Sequence, residues 1–405
     1  MQAGNPKYAG KKILIGMTGG IACYKMCELV RSLKKNGAEV RVIMTRHATE
    51  FISPLTLETL SGYKVTTETF PPYDSAHTEM TGTHHIDIAN WPDIFLIAPA
   101  GGNMVGKIAN GIADEILSTV VMACPKPILL ALAMNDKMYL NPIVQKNIQT
   151  LREFNYGIID PETGFLAEGY EGVGRLADIE KIIWKVEKAL FGNNSLINKK
   201  ILVTAGPTHE SLDPVRFLTN HSSGRMGYAV AKEAVLQGAG VTLISGPTHL
   251  PPPQDVRLVT ATSAEDMARA VDDNISDHDV LIMAAAVADF TPYNQEDQKI
   301  KKSEEWILKL KKTTDILSGV ASKKGNKIVV GFALETENEI QNAQMKLKSK
   351  NLNFIVLNNP KDIGAGFNTK TNKITIIDQN HIEKLPLMTK EDVAKIILNR
   401  IIKIL

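Results

Sequence analysis

The 405-residue chain balances 46 Lys and Arg against 44 Asp and Glu, a net charge of +2, with 44% hydrophobic and 22% charged residues. That length predicts two domains, each able to bury its own core. A balance this even argues against a general nucleic-acid binder, which concentrates basic residues on one face, and three cysteines, Cys23, Cys27 and Cys124, are too few for an extracellular disulfide framework.

Met1 to Lys12 is polar and lacks the apolar run of a signal peptide. No window approaches the ~20 consecutive apolar residues of a membrane span, so a cytoplasmic protein without a membrane partner is expected. From Lys12 onward, short β-branched runs alternate with amphipathic stretches, the pattern of parallel-sheet α/β domains. Strands are predicted at Lys12–Met17, Val40–Met44, Ile94–Ala98 and Ile128–Ala133, with helices at Ile21–Asn36 and Val105–Met122. After a helix over Asp178–Leu190, the segment Phe191-Gly-Asn-Asn-Ser-Leu-Ile-Asn198 breaks the periodicity with turn-favouring residues. The expected division is a domain over 1–190, a linker over 191–198 and a domain over 199–405. The second half repeats the scheme: strand Lys200–Thr204, helix Met226–Gln237, strand Val241–Ser245, helix Ala264–Asn274 and strand Val280–Ala285. Further strands are predicted near Leu308–Lys311, Ile328–Ala333 and Asn353–Leu357, then a hairpin and an amphipathic helix over Lys373–Leu405.

Gly16-Met-Thr-Gly-Gly-Ile21 joins the first strand to its helix, where helix N–H groups can seat a phosphate. The loop misses the dinucleotide fingerprint: Thr18 stands where the second glycine belongs, and the second strand ends in Thr45-Arg46 without an acid for a ribose. A mononucleotide fits better than NAD; a tight turn holding no ligand is the other reading of the loop alone. Cys23 and Cys27 read as packed thiols, since no His or Cys partner lies near them. In the second half, Asn220-His-Ser-Ser-Gly-Arg-Met-Gly227, Ala284-Ala-Ala-Val-Ala-Asp-Phe290 and Lys299-Ile-Lys-Lys302 combine a polar turn opening a helix, a strand ending in one acid, and a lysine-rich loop. Together these can hold a polyphosphate, a divalent metal and a carboxylate, the equipment for activating an acid with a nucleotide.

The first half resembles the flavin-dependent cysteine decarboxylases, through Gly16–Lys25, His85-Ile-Asp-Ile88 before Trp91, Ala98-Pro-Ala-Gly-Gly-Asn103, Ala109-Asn-Gly-Ile-Ala-Asp114 and Ala133-Met-Asn-Asp-Lys-Met-Tyr139. The second half resembles the phosphopantothenate–cysteine ligases, through Ala205-Gly-Pro-Thr208, Asp213-Pro-Val-Arg216, the Asn220, Ala284 and Lys299 segments, and Gly331-Phe-Ala-Leu-Glu-Thr336. In this order the motifs resemble the bacterial bifunctional coenzyme A biosynthesis family. The resemblance implies an N-terminal flavodoxin-like doubly wound parallel sheet and a C-terminal Rossmann-like α/β ligase domain.

For the first domain the resemblance implies FMN, with Gly19, Gly20 and Thr45 near its phosphate and Asn103 near the flavin. It implies His85 as the catalytic histidine and Asn135 as the residue that binds the substrate carboxylate. The family lid carries Ala-Cys-Gly before a Gly-x-Gly-Arg element, whereas this chain reads Ala167-Glu-Gly-Tyr-Glu-Gly-Val-Gly-Arg175. Glu168 thus replaces the proton-donating cysteine, and a protonated glutamate could donate a proton if burial raised its pKa. Leu132 also replaces a family proline, and Gly101-Gly102 a Thr-Ala pair.

For the second domain the resemblance implies CTP, phosphopantothenate and cysteine as reactants and an acyl cytidylate as intermediate. Asn220 steadies that intermediate; Ala284, Ala285, Asp289, Phe332, Lys346 and Lys350 contact the nucleotide; Lys299 acts on charge developing at the transferred phosphate. Mg2+ is expected near Asp289. Asp315 belongs to a third contact loop, although Thr313-Thr314 replaces the family Asn-Pro before it. A homo-oligomer is expected. The alternative keeps the ligase and makes the first domain only a flavin-binding oligomerisation module.

Overall fold

A computed structural model of the chain describes residues 7–69, 83–301, 306–362, 364–365 and 368–405; Lys302 of the lysine-rich loop lies outside them. The chain forms two compact units, Met1–Phe191 and Gly192–Leu405.

In the first unit, strands β1 (Lys12–Met17), β2 (Glu39–Met44), β3 (Ile94–Ala100), β4 (Ile128–Leu132) and β5 (Gly157–Ile159) form one parallel sheet in the order β2-β1-β3-β4-β5. Every residue of β3 and β4 is buried, which explains their unbroken apolar runs: a parallel sheet is covered on both faces. Alternate residues serve opposite cores. Ile13, Ile15 and Leu96 pack with Met26, Leu29 and Leu33, whereas Leu14, Phe95 and Ile97 pack with Met104, Val105 and Leu117.

Two expectations need correction here. The stretch predicted as one helix over Val105–Met122 is two, Gly102–Ala109 and Ile116–Ala123. The first ends at Asn110, and Gly111 follows at φ +68, a left-handed turn that stops a helix. Both helices bury apolar faces in the same core, so the apolar pattern runs on through the break. The predicted Ile21–Asn36 helix opens with a 3-10 turn over Ile21–Lys25 before the α-helix Met26–Lys35. An antiparallel hairpin of β6 (Glu162–Phe165) and β7 (Glu171–Arg175) completes the functional end of this unit.

The second unit contains β8 (Lys200–Ala205), β9 (His209–Ser211), β10 (Phe217–Thr219), β11 (Gly240–Ser245), β12 (Val256–Thr260), β13 (Val280–Met283), β14 (Phe290–Pro292), β15 (Leu310–Lys312), β16 (Ile328–Leu334), β17 (Phe354–Asn358), β18 (Thr371–Asn372), β19 (Ile374–Ile377), β20 (Ile382–Lys384) and β21 (Met388–Thr389). Its main sheet has the order β12-β11-β8-β13-β16-β17-β19-β20. The first six strands are parallel, in the doubly wound Rossmann order, and the last two are antiparallel. β13 stops at Met283, two residues before the predicted end, which leaves Ala284–Ala286 as loop. Among the described residues, no helix is long and apolar enough to cross a membrane.

Candidate active sites

In open α/β sheets, ligands bind at the carboxyl ends of the strands where the strand order reverses. In the first unit that point lies between β1 and β3, and a cavity of about 720 Å3 opens there, within the range of ligand sites. Four loops and the first turn of the helix Gly102–Ala109 bring Gly19, Gly20, Thr45, Asn103, Asn135 and Glu168 to its wall. Thr18 clarifies why the dinucleotide fingerprint fails: its buried hydroxyl donates to Pro99 O at 2.7 Å and accepts from Gly101 N–H at 2.9 Å, tying two of those segments together. Gly19 packs so closely that a Cβ would lie 2.5 Å from His47 Cβ, whereas a Cβ on Gly20 would meet no atom within 4 Å. Gly20 therefore leaves an open cradle at the start of the 3-10 turn, suited to a phosphate. Thr45 is buried and its Oγ1 accepts from Ala48 N–H, capping the turn Arg46–Thr49 that places His47 on the cavity wall.

Asn135 is held on every side. Its Oδ1 accepts from Lys137 N–H at 2.9 Å, and its Nδ2 donates to Glu168 Oε1 at 2.8 Å and to Tyr170 OH at 3.2 Å. Tyr170 OH in turn donates to Asp136 Oδ1 at 2.6 Å, which raises the phenol pKa. The β6–β7 hairpin is brought here by Gly174, whose carbonyl accepts from Met134 N–H at 3.1 Å. At φ +151, a Cβ there would lie 2.0 Å from Met134 O. Glu168, at the hairpin tip, is exposed. His85, near the start of the helix His84–Asn90, is half-buried and does not line the cavity. Cys23 is buried, with Sγ donating to Thr18 O at 3.2 Å; burial pushes its thiol pKa up.

In the second unit a smaller cavity of about 170 Å3 lies beside the start of the helix Arg225–Leu236. Ala284, Ala285 and Phe332 line it; Asn220, Asp289, Lys299, Asp315, Lys346 and Lys350 do not. Asn220 borders the same loop, its Nδ2 donating to Ala286 O at 3.1 Å and Val287 O at 3.3 Å. Asp289 is exposed. Among the described residues no group of three or more His, Cys, Asp or Glu side chains is placed to hold a metal. Lys350 pairs with Asp315 and also donates to Ser318 Oγ at 2.6 Å, while Lys346 pairs with Glu335 at 2.7 Å. Burial alone would raise the Asp315 pKa, but Lys350 and Ser318 outweigh it and hold the carboxyl below its usual range.

Arg225, quoted above within the Asn220–Gly227 stretch without a role of its own, and Lys390, which had no part in the sequence reading, also line this cavity. Arg225 follows Gly224 at a helix start, where a cation near a phosphate seat was legible. Lys390 comes from the tail helix Lys390–Ile402, is buried, donates to Thr369 O at 2.7 Å, and has its pKa lowered by burial and then by Arg225. Nothing in the local sequence ties it to residues more than a hundred positions away.

A family model described as "Flavoprotein" matches residues 2–191, and one described as "DNA/pantothenate metabolism flavoprotein C-terminal domain" matches residues 196–405. The coenzyme A biosynthesis bifunctional protein CoaBC of Bacillus subtilis is 45% identical over 396 residues, covering 96% of each chain. The protein of that name from Borreliella burgdorferi is 44% identical over 392 residues, covering 96% of this chain and 98% of its own. A cysteine/cysteine sulfinic acid decarboxylase from an unknown prokaryotic organism is 44% identical over 359 residues, covering 87% of this chain and 99% of its own. With both units matched and this identity sustained over nearly the whole length, the chain belongs to the family of bifunctional coenzyme A biosynthesis proteins.

Proposed function

We propose that the second unit joins phosphopantothenate to cysteine using CTP, and that the first unit, holding FMN, decarboxylates the resulting phosphopantothenoylcysteine in the cytoplasm. The observation that carries this reading is the convergence of Gly19, Gly20, Thr45, Asn103, Asn135 and Glu168 on one cavity at the strand-order reversal. The open cradle at Gly20 and the cavity volume fit a mononucleotide. FMN, when bound, would supply the two-electron oxidation of the substrate thiol to a thioaldehyde, the electron sink without which the cysteine carboxylate cannot leave as carbon dioxide. Asn135 offers a neutral amide to that carboxylate, provided Glu168 withdraws. His85 serves as base at the thiol; it lies off the cavity wall of its own chain, which fits a homo-oligomer in which a second copy contributes it.

In the second unit, Asn220 steadies the acyl cytidylate and Lys299 meets charge that develops at the transferred phosphate. Ala284, Ala285 and Phe332 border the nucleotide, and Lys346 and Lys350 exchange Glu335 and Asp315 for phosphate oxygens. One exposed carboxylate, Asp289, suits Mg2+, which takes most of its ligands from water and phosphate. The reading is tested by incubating the purified chain with phosphopantothenate, cysteine and CTP and weighing the products. Absence of pyrophosphate removes the ligase; a colourless protein that fails to take up added FMN removes the flavin site. The Asn135–Glu168 bond favours a second reading, in which the first unit binds flavin and assembles the oligomer without turnover. Accumulation of phosphopantothenoylcysteine as the sole end product would select it.

A further inference from the structure

The loop that carries Lys299 is fastened at points on both sides of it to a single turn, Leu212–Arg216. Glu296 N–H donates to Leu212 O at 3.0 Å. Ile300 N–H donates to Asp213 Oδ2 at 3.1 Å, and Arg216 Nη1 donates to Ile300 O at 3.1 Å and to Asp213 Oδ2 at 2.8 Å. Asp213 Oδ1 accepts from the N–H groups of Val215 and Arg216 at 2.7 and 2.8 Å. The carboxylate is only 2% exposed and both oxygens are engaged, which an Asn could not reproduce because its amide nitrogen donates instead of accepting. Burial alone would raise its pKa, but the N–H groups of Val215, Ile300 and Arg216 and the Arg216 guanidinium bring it down to about 2.

We infer that Asp213 is a positioning residue for nucleotide transfer: with Arg216 it holds both backbone polar groups of Ile300 and so fixes where the neighbouring Lys299 can reach. This rests on the proposed role of Lys299. Lys299 is exposed and has a long, flexible stem, so its backbone must be held if the ammonium is to meet a phosphate repeatedly. The same turn closes the β9–β10 hairpin, in which Thr219 Oγ1 donates to Thr208 O at 2.8 Å. Asn220 follows directly and is bonded to Ala286 O and Val287 O. One hairpin thus carries Asn220 at its open end and anchors Lys299 at its closed end, which gives the two groups a common frame.

The test measures single-turnover cytidylate formation and, separately, CTP affinity by calorimetry, in the full chain and in Asp213→Asn, Lys299→Gln and the double variant. Displacement of a reacting group by about 1 Å costs up to roughly a hundredfold, so Asp213→Asn should slow the step by about tenfold or more at saturating CTP. CTP affinity should change by less than about threefold, and adding Asp213→Asn to Lys299→Gln should cost less than about twofold further. If Asp213→Asn does not fold, Ile300→Pro takes its place: it removes one donor and leaves the turn its other bonds. The same rate loss and the same non-additivity are expected. Losses that multiply in the double variant, or an affinity that falls in step with the rate, overturn the inference. A Lys299→Gln protein with an unchanged rate overturns the role of Lys299, and the positioning role falls with it.

Discussion

Glu168 stands where the family lid carries a thiol, and it spends its carboxylate on Asn135. A glutamate can pass a proton but cannot reproduce thiol chemistry. On the reading proposed above, the chain should release mainly the oxidised enethiol, lighter than phosphopantetheine by a hydrogen pair, with those two electrons left on reduced FMN, and Glu168→Cys should shift the product to phosphopantetheine and reoxidise the flavin. Product mass under anaerobic conditions decides; repeated turnover to phosphopantetheine by the unaltered chain would refute it. Asp213 gives a prediction about pH. Its carboxyl pKa falls from 3.8 to about 2 on folding, so its contribution to stability is complete above the unfolded value and is lost as pH drops through the folded one. Asp213→Asn should therefore flatten the acid dependence of unfolding of the second unit between about pH 5 and 2, read from urea midpoints at successive pH values. An unchanged slope would show that the carboxylate is not held as described.

The β6–β7 hairpin depends on Gly174, where a Cβ would collide with Met134 O. Gly174→Ala should lift the hairpin from Met134–Asp136 and release Asn135, at about 1–3 kcal/mol of strain. For a unit of this size each kcal/mol shifts the melting midpoint by roughly 2–4 °C. A variant that melts with the parent protein would contradict the docking. Elements of this kind were the least legible in the sequence. The strands buried on both faces, such as β3 and β4, announce themselves through unbroken apolar runs, and their bounds were read to within a residue or two. β12 escaped because Val256–Thr260 is partly exposed and follows three consecutive prolines. The break at Gly111 was hidden by two helices feeding one core. At the first site, motif matching identified the loops that meet in the cavity, yet it missed His47 and read Thr18 only as a departure from a fingerprint, because their places follow from how the loops cross. Asp213 was quoted within a motif, but its bond with Ile300 spans 87 positions, a distance over which no local pattern carries information.

Each unit has its own apolar core and its own cavity, which makes their ligand responses separable. At a hundredfold excess over its dissociation constant, a ligand stabilises the unit that binds it by about 2.7 kcal/mol. FMN should therefore slow amide exchange in β1, β3 and β4, and CTP should slow it in β8, β13 and β16, each without effect on the other group. Protection by either ligand in both groups would refute this separation. The filled hydrogen-bond inventory of Asn135 has a consequence for the chain as a whole. Both of its amide hydrogens and its oxygen are already engaged by neighbouring groups of the same chain, so on the proposed reading a substrate carboxylate would enter by exchange with an internal anion, and its dissociation constant would be divided by the fraction of molecules in which Glu168 has let go. At Asn220 the amide donates to the backbone carbonyls of Ala286 and Val287, so what a ligand would exchange with there is uncharged. On the proposed reading, the affinity of the first unit for its substrate is then set in part by how readily Glu168 leaves Asn135.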